Sequence, residues 1–276
     1  MEVLEGVTVP NQDLEMHLQR LATHAGGGVI LSTCNRLEIY SVTGDVPIGI
    51  NRLKEYIETT SKSSRVTRID QYIYTLSGDT VAEHLFRVAA GLDSIALGES
   101  EIIGQVTKAL QAAGEAGTID PSLSRMFHAA LRTSRRIRKE TGIGRNRISI
   151  SSLGVKELQN IVGDLSGLKV LLVGAGKTGR LTANALRRYG ADEIVVSSRS
   201  FERGRVLAED FGSSQVPFAK VPETLVDCDM LITCTSSSDP IVTVETIRFA
   251  MDMRPERPLN ILDVGMPRDV DPTVAE

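Results

Sequence analysis

The sequence predicts two successive α/β units, and three patterns in its 276 residues carry that prediction. Up to Leu76, apolar runs rich in Val, Ile and Tyr alternate with amphipathic stretches in the order β-α-β-β-α-β, which makes the first unit a ferredoxin-like α+β domain. From Thr80 to residue 162, apolar side chains recur at spacings of three and four, so helices are added to that domain. From Leu168 onward, short apolar strands alternate with helical stretches, as in a parallel sheet covered by helices. The boundary falls within 145–167, and the chain divides into 1–148 and 149–276.

Residues 3–9 (VLEGVTV) read as a strand and 11–24 as a short amphipathic helix. After three glycines, the segment VILSTCNRLEIYSVT has two apolar halves flanking Cys34-Asn35-Arg36, the pattern of two strands joined by a tight turn. A helix is expected at 47–60 and a strand at 71–76 (QYIYTL). Val81, Leu85, Val88 and Leu92 then mark a helix capped by Asp79 or Thr80. Further helices are expected at 101–116, 122–141 and 150–162, with Gly142 to Arg147 as a hinge. In the second unit KVLLV, EIVVSS, MLITC and NILDV read as strands.

An apolar content of 41% and a charged content of 24% exclude a disordered or fibrous chain. No apolar run reaches the length that spans a bilayer, and MEVLEGVTVPNQD has no basic stretch followed by an apolar one, so neither a membrane anchor nor a secretory signal is expected. Three cysteines, an odd number without paired spacing, point to a reducing, cytoplasmic setting. Cys228 and Cys234 lack the companions of a metal site, and no metal is expected. The net charge of −4 conceals a basic run: Arg125, Arg132, Arg135, Arg136, Arg138, Lys139, Arg145 and Arg147 stand against the single acid Glu140. Contact with nucleic-acid phosphates and a solvated helix face account for this run equally well.

Gly174-Ala175-Gly176-Lys177-Thr178-Gly179 matches G-x-G-x-x-G, directly after the strand KVLLV and at the opening of a helix. That context is the one the motif requires: the first glycine makes the turn, the second lets a pyrophosphate approach the backbone, and the third lets the helix pack against the sheet. The second unit is therefore expected to be of Rossmann type. At the end of the next strand, where an NAD site usually places an acid, stands Arg199, with Ser197, Ser198 and Ser200 around it. A guanidinium there suits a 2′-phosphate, so NADPH is the expected cofactor.

Cys34 lies where an apolar strand gives way to Thr33, Asn35 and Arg36. A cysteine beside a strand is often a small buried hydrophobe. Here Arg36 offers to stabilise a thiolate, the attacking form, and the neighbours supply hydrogen bonds. A nucleophile also needs a proton-transfer partner. His84, on a helix beside its apolar stripe, either faces the cleft or caps the core, and spacing alone leaves both open.

The motifs STCNRLEIY, AEHLFRVAAGLDS, LGESEIIGQV, VGAGKTG and DVGMPRDVDP, in this order, resemble glutamyl-tRNA reductase. That resemblance implies NADPH-dependent reduction of glutamyl-tRNA(Glu) to glutamate-1-semialdehyde through a cysteine thioester, the first step of five-carbon tetrapyrrole synthesis. It implies Cys34 as nucleophile and His84 as an active-site residue. Thr33, Asn35, Arg36, Ser94, Glu99, Ser100, Glu101 and Gln105 are implied around the glutamyl group. Charged tRNA(Glu), a second copy of the chain and a downstream semialdehyde aminomutase are the implied partners. Two departures stand out. The family's early Ser/Thr-His-Lys segment is replaced by GVTVPNQDLE, and the family's C-terminal dimerisation domain is expected to be absent, since the chain stops at Glu276. Two other functions fit the same residues: a reductase of shikimate-dehydrogenase type, which needs no cysteine, and a tRNA-binding module without turnover.

Overall fold

The structure, a computed structural model, describes residues 2–60, 69–99, 101–143 and 149–275. Contacts divide the chain into two compact units, Met1–Ile148 and Ser149–Glu276. The expected hinge lies largely outside the described residues.

The first unit comprises α1 (Glu2–Val7), α2 (Leu14–Ala25), β1 (Val29–Ser32), β2 (Leu37–Tyr40), α3 (Val46–Thr60), α4 (Asp79–Ala90), α5 (Glu101–Glu115) and α6 (Pro121–Glu140). β1 and β2 form the expected antiparallel hairpin, in register Val29↔Tyr40 to Ser32↔Leu37. Its β1 face joins a core with Leu18 and Leu21 of α2, Leu85 and Val88 of α4, Ile102 and Val106 of α5, and Phe127 of α6. Phe127 is fully buried and packs edge-on against Tyr40, with ring centroids 5.1 Å apart. The long α6 starts as its sequence dictates: Asp120 accepts from the Ser122 N–H at 2.6 Å, and Pro121 occupies the first turn.

Three local expectations give way. Residues 3–9 were expected to be a strand, but 2–7 form the helix α1. The segment 71–76 enters no ladder, and Tyr72, Tyr74 and Leu76 are exposed. Of the β-α-β-β-α-β order, both helices and the central hairpin are formed among the described residues, but neither outer strand. β-propensity describes side chains fitting a pleated, half-buried surface, and it cannot make a strand where no neighbouring strand is in register. The helix α4 is preceded by Gly78, with no side-chain cap from Asp79 or Thr80; the Thr80 hydroxyl donates to Ser77 O instead.

The second unit comprises α7 (Ile150–Val162), β3 (Lys169–Val173), α8 (Lys177–Arg188), β4 (Glu193–Ser198), α9 (Phe201–Asp210), β5 (Ser214–Pro217), α10 (Val221–Leu225), β6 (Met230–Thr233), α11 (Val244–Asp252) and β7 (Asn260–Asp263). All five strands are parallel, in the order β5-β4-β3-β6-β7, the arrangement of a Rossmann-type sheet. The two-residue period divides the strands between two cores. Val170, Leu172, Ile194, Val196 and Ile232 pack on one face with residues of α7, α8 and α9. Leu171, Val173, Val195 and Leu231 pack on the other with residues of α10 and α11. Burial on both faces explains why these strands read as continuous apolar runs. β5 was not expected, because SQVP is short, polar and at the sheet edge.

Replacing Phe127 by Ala is expected to lower the stability of the first unit by about 3–5 kcal/mol, through a cavity beneath Tyr40. Urea unfolding followed by a probe in each unit checks this: the loss should fall on the first transition and leave the second in place.

Candidate active site

The hairpin turn presents Cys34. Thr33 N–H donates to Arg36 O at 2.9 Å, closing the turn. The Thr33 hydroxyl, buried, accepts from Asn35 N–H at 3.2 Å and Arg36 N–H at 3.1 Å. Thr33 therefore shapes the turn. Cys34 is half-buried at its tip and Asn35 is exposed, whereas Cys228 and Cys234 are buried.

Behind the turn lies a group that sequence reasoning passed over. Glu38 points inward from β2 and is only 7% exposed. Its Oε1 accepts from Arg36 Nη1 at 2.9 Å and from the Tyr74 hydroxyl at 2.6 Å, and lies 2.8 Å from His84 Nε2. Its Oε2 accepts from the Tyr40 hydroxyl at 2.5 Å. Burial alone would raise this carboxyl, but the bonds from Tyr40, Tyr74 and His84 outweigh it and hold the group below the usual range. The signal for it was an acid between Leu37 and Ile39, in step with the inward-facing Tyr40.

These bonds decide what the expected active-site groups can do. His84 Nε2 is taken up by Glu38 and, at 3.2 Å, by Tyr74, so His84 serves the buried carboxylate. Arg36 also bonds Asp93, through Oδ2 at 2.8 Å and through the main-chain oxygen. With two carboxylates on its guanidinium, Arg36 gives the thiol little help. Burial pushes the Cys34 thiol up and Glu99 pushes it further, against a smaller lowering by Arg36. Arg36 still draws the thiol down, as expected, but burial and the acids Glu99 and Glu101 outweigh it.

Those acids come from the 91–99 loop and the start of α5. Ser94 bonds the Glu99 carboxyl, which burial holds above its usual range. Glu101 and Gln105 lie one turn apart on α5, both half-buried. Ser100 lies outside the described residues. A cavity of about 420 Å³ adjoins the other side of the Glu38 cluster, lined by Leu4, Leu37, Ile57, Tyr74 and His84 among others. Asn35 and Arg36 line it too, whereas Cys34, Ser94, Glu99 and Gln105 do not, so this cavity takes in only part of the expected site.

In the second unit the three motif glycines have distinct surroundings. Gly174 has φ +125°, and a Cβ there would meet Cys234 Sγ at 2.8 Å. A Cβ on Gly179 would drive into the Gly174 carbonyl, so α8 packs on the strand only without one. A Cβ on Gly176 would meet nothing within 4 Å, leaving open space before α8. No side chain caps α8, so its first N–H groups are not answered by a local cap. Ser197 Oγ, at the carboxyl end of β4, is buried without a hydrogen-bond partner, and Arg199 beyond it is exposed. A dinucleotide fits this cradle: its pyrophosphate suits the bare helix N-terminus, and the orphaned hydroxyl offers a further bond. Ala175, Lys177 and Thr178 complete the turn, while Ser198 and Ser200 flank Arg199. Among the described residues no three His, Cys, Asp or Glu side chains cluster as a metal site, and no helix is long and apolar enough to cross a membrane.

Residues 1–141 match the family described as Glutamyl-tRNAGlu reductase, N-terminal domain. The chain belongs to the glutamyl-tRNA reductase family. Residues 156–276 match the family Shikimate / quinate 5-dehydrogenase. The glutamyl-tRNA reductase of Carboxydothermus hydrogenoformans is 37% identical over 100% of this chain and 62% of its own length. That of Pseudomonas fluorescens strain Pf0-1 is 36% identical over 100% of this chain and 64% of its own length. Among solved structures, glutamyl-tRNA reductase from Methanopyrus kandleri is 31% identical, with a TM-score of 0.48, over 100% of this chain and 65% of that one. The chain thus spans just under two thirds of the length of these relatives.

Because the fold lowers Glu38 below its usual 4.5, its stabilising contribution is complete above that pH and is lost as pH falls through the lower folded value. Glu38→Gln is expected to cost about 3 kcal/mol near neutral pH, since Arg36 loses a buried partner. It should also flatten the acid side of the stability profile. Urea unfolding of both proteins between pH 7 and pH 3 measures this, and an unchanged acid slope would show that another group sets it.

Proposed function

We propose that the chain carries the acyl-transfer and reduction machinery of an NADPH-dependent glutamyl-tRNA reductase, with Cys34 as the nucleophile. The observation that carries this reading is the half-exposed Cys34 thiol on a turn fixed by Thr33, faced by the Glu99 carboxyl, while the other two cysteines are buried. A thiol beside a carboxyl of raised affinity for protons has an acceptor at hand when it attacks.

Cys34 Sγ forms a bond to the glutamyl carbonyl carbon as its proton leaves toward Glu99. The bond from that carbon to the terminal ribose oxygen of the tRNA breaks, and the oxygen takes up the proton. A glutamyl thioester remains on Cys34. NADPH, when bound, supplies the hydride that converts this thioester to glutamate-1-semialdehyde and restores the thiol. Ser94, Glu99, Glu101 and Gln105, grouped on the 91–99 loop and the first turns of α5, would hold the glutamyl group. Gly174 to Gly179 would hold the pyrophosphate, and Arg199, with Ser198 and Ser200, a 2′-phosphate. On α6, Arg125, Arg132, Arg135, Arg136 and Lys139 are exposed at helical spacing, which suits contact with the tRNA backbone. A second copy of the chain, and an aminomutase that consumes the reactive aldehyde, are the protein partners proposed with this activity.

Incubation with tRNA carrying labelled glutamate, without NADPH, is expected to leave label on Cys34, and Cys34→Ser is expected to carry none. Reductase activity that persists in Cys34→Ser would instead favour a cysteine-free route like that of shikimate dehydrogenases. Arg199→Glu is expected to weaken NADPH binding about 10- to 100-fold, the loss of one charge-assisted phosphate contact, while NADH binding changes little. Fluorescence titration with both nucleotides makes the comparison.

A further inference from the structure

The 91–99 loop has no regular structure, yet it carries Ser94 and Glu99. Its backbone is held at several points. Gly98 N–H donates to Gly91 O at 2.8 Å and Glu99 N–H to Ala96 O at 2.9 Å, closing the loop on itself. At its base, the fully buried Ser134 of α6 donates to Ala89 O at 2.6 Å. One turn further along α6, Arg138 Nη1 donates to Gly98 O at 2.8 Å and Nη2 to Glu99 O. The fork fits because Gly91 has no side chain: a Cβ there would lie 3.3 Å from Arg138 Nη2 and 3.2 Å from Glu99 O. Arg138, counted in the sequence among the basic residues available to nucleic acid, is instead turned inward and half-buried.

We infer that Arg138 is a positioning residue for the nucleophile: its planar fork fixes two successive carbonyls, Gly98 and Glu99, and thereby sets where the Glu99 carboxyl stands relative to the Cys34 thiol. The cost of this arrangement is visible. Arg138 Nε is buried without a partner, and burial pulls the guanidinium below its usual range, with Glu99 opposing that shift. A lysine has one ammonium and cannot span both carbonyls in the same plane.

The charged and polar groups around the pair are few. Glu99, Glu101 and Arg36 act on Cys34, while Ser94, Glu101, Arg36 and Arg138 act on Glu99. Glu99 is the strongest of the charged groups acting on the thiol. Releasing the clamp should therefore let Glu99 move away and make the thiol easier to ionise. A purely electrostatic role for Arg138 predicts the opposite sign, because removing a cation can only make nearby acids weaker.

The proton-transfer role of Glu99 rests on the proposed thioester reaction, but the clamp can be tested without it. Alkylation of Cys34 by iodoacetamide is followed against pH on the full chain, with peptide mapping to separate Cys34 from the buried cysteines. Arg138→Met is expected to lower the midpoint of the profile by about half a unit to one unit, the size of one lost carboxylate neighbour. Glu99→Gln should do the same, and Arg138→Met in the Glu99→Gln background should add nothing. An unchanged or higher midpoint in Arg138→Met, or an equal further shift in the double variant, overturns the inference. If Arg138→Met fails to fold, Arg138→Lys takes its place: a smaller downward shift supports the clamp and none refutes it. Absence of labelled thioester on the unsubstituted chain would count against the proposed reaction and leave these alkylation results standing.

Discussion

A carboxylate removed from water must be answered by donors, and the polar organisation of the first unit follows from one such group. Glu38 is buried on β2 and draws in Arg36 from the turn, Tyr40 from its own strand, Tyr74 from the 72–76 segment and His84 from α4. Removing any one donor leaves charge unanswered in a low-dielectric setting, so these side chains are fixed together. The extended segment at Tyr74 forms no ladder, yet its hydroxyl ties it to β2. Tyr40 and Tyr74 are held far from ionising by burial and by this same carboxylate.

The thiol inherits the consequence. Arg36 sits two residues from Cys34 but its charge is committed to Glu38 and Asp93. Burial and the acids Glu99 and Glu101 outweigh it at the sulfur and raise the thiol's hold on its proton. Such a thiol is slower to oxidise than a free thiolate. The loop bearing Glu99 is itself held by α6, so hairpin, loop and helix form one supported site.

The second unit reaches its chemistry by backbone alone. Cys234 lies against Gly174, and the Gly174 carbonyl lies where a side chain on Gly179 would fall, so β3, α8 and β6 meet too closely for any Cβ at these two positions. Beyond the sheet, Asp263 accepts from the Thr233 hydroxyl and from the N–H groups of Gly265, Asp269 and Val270, securing the turn after β7. Asp269 in turn accepts from Thr235. The DVGMPRDVDP motif is thus largely spent on shaping the carboxyl edge of the sheet.

Where structure is local, it was legible in the chain. The apolar halves around Cys34-Asn35-Arg36 determined a hairpin, the spacing of Gly174, Gly176 and Gly179 determined a strand-turn-helix cradle, and the amphipathic period determined α3 to α7, because each depends on residues within a turn or a strand of one another. The strands expected at 3–9 and 71–76 depended on a partner strand in register, which no local pattern supplies. The bonding of Arg36, His84 and Arg138 was decided by tertiary structure. Their partners lie 57, 46 and 40 residues away, and a buried charge is defined by what surrounds it in space. Sequence named the sulfur; folding decided whether it would rest as thiol or thiolate, since ionisation responds to burial and to neighbouring charges that only the packed chain brings together.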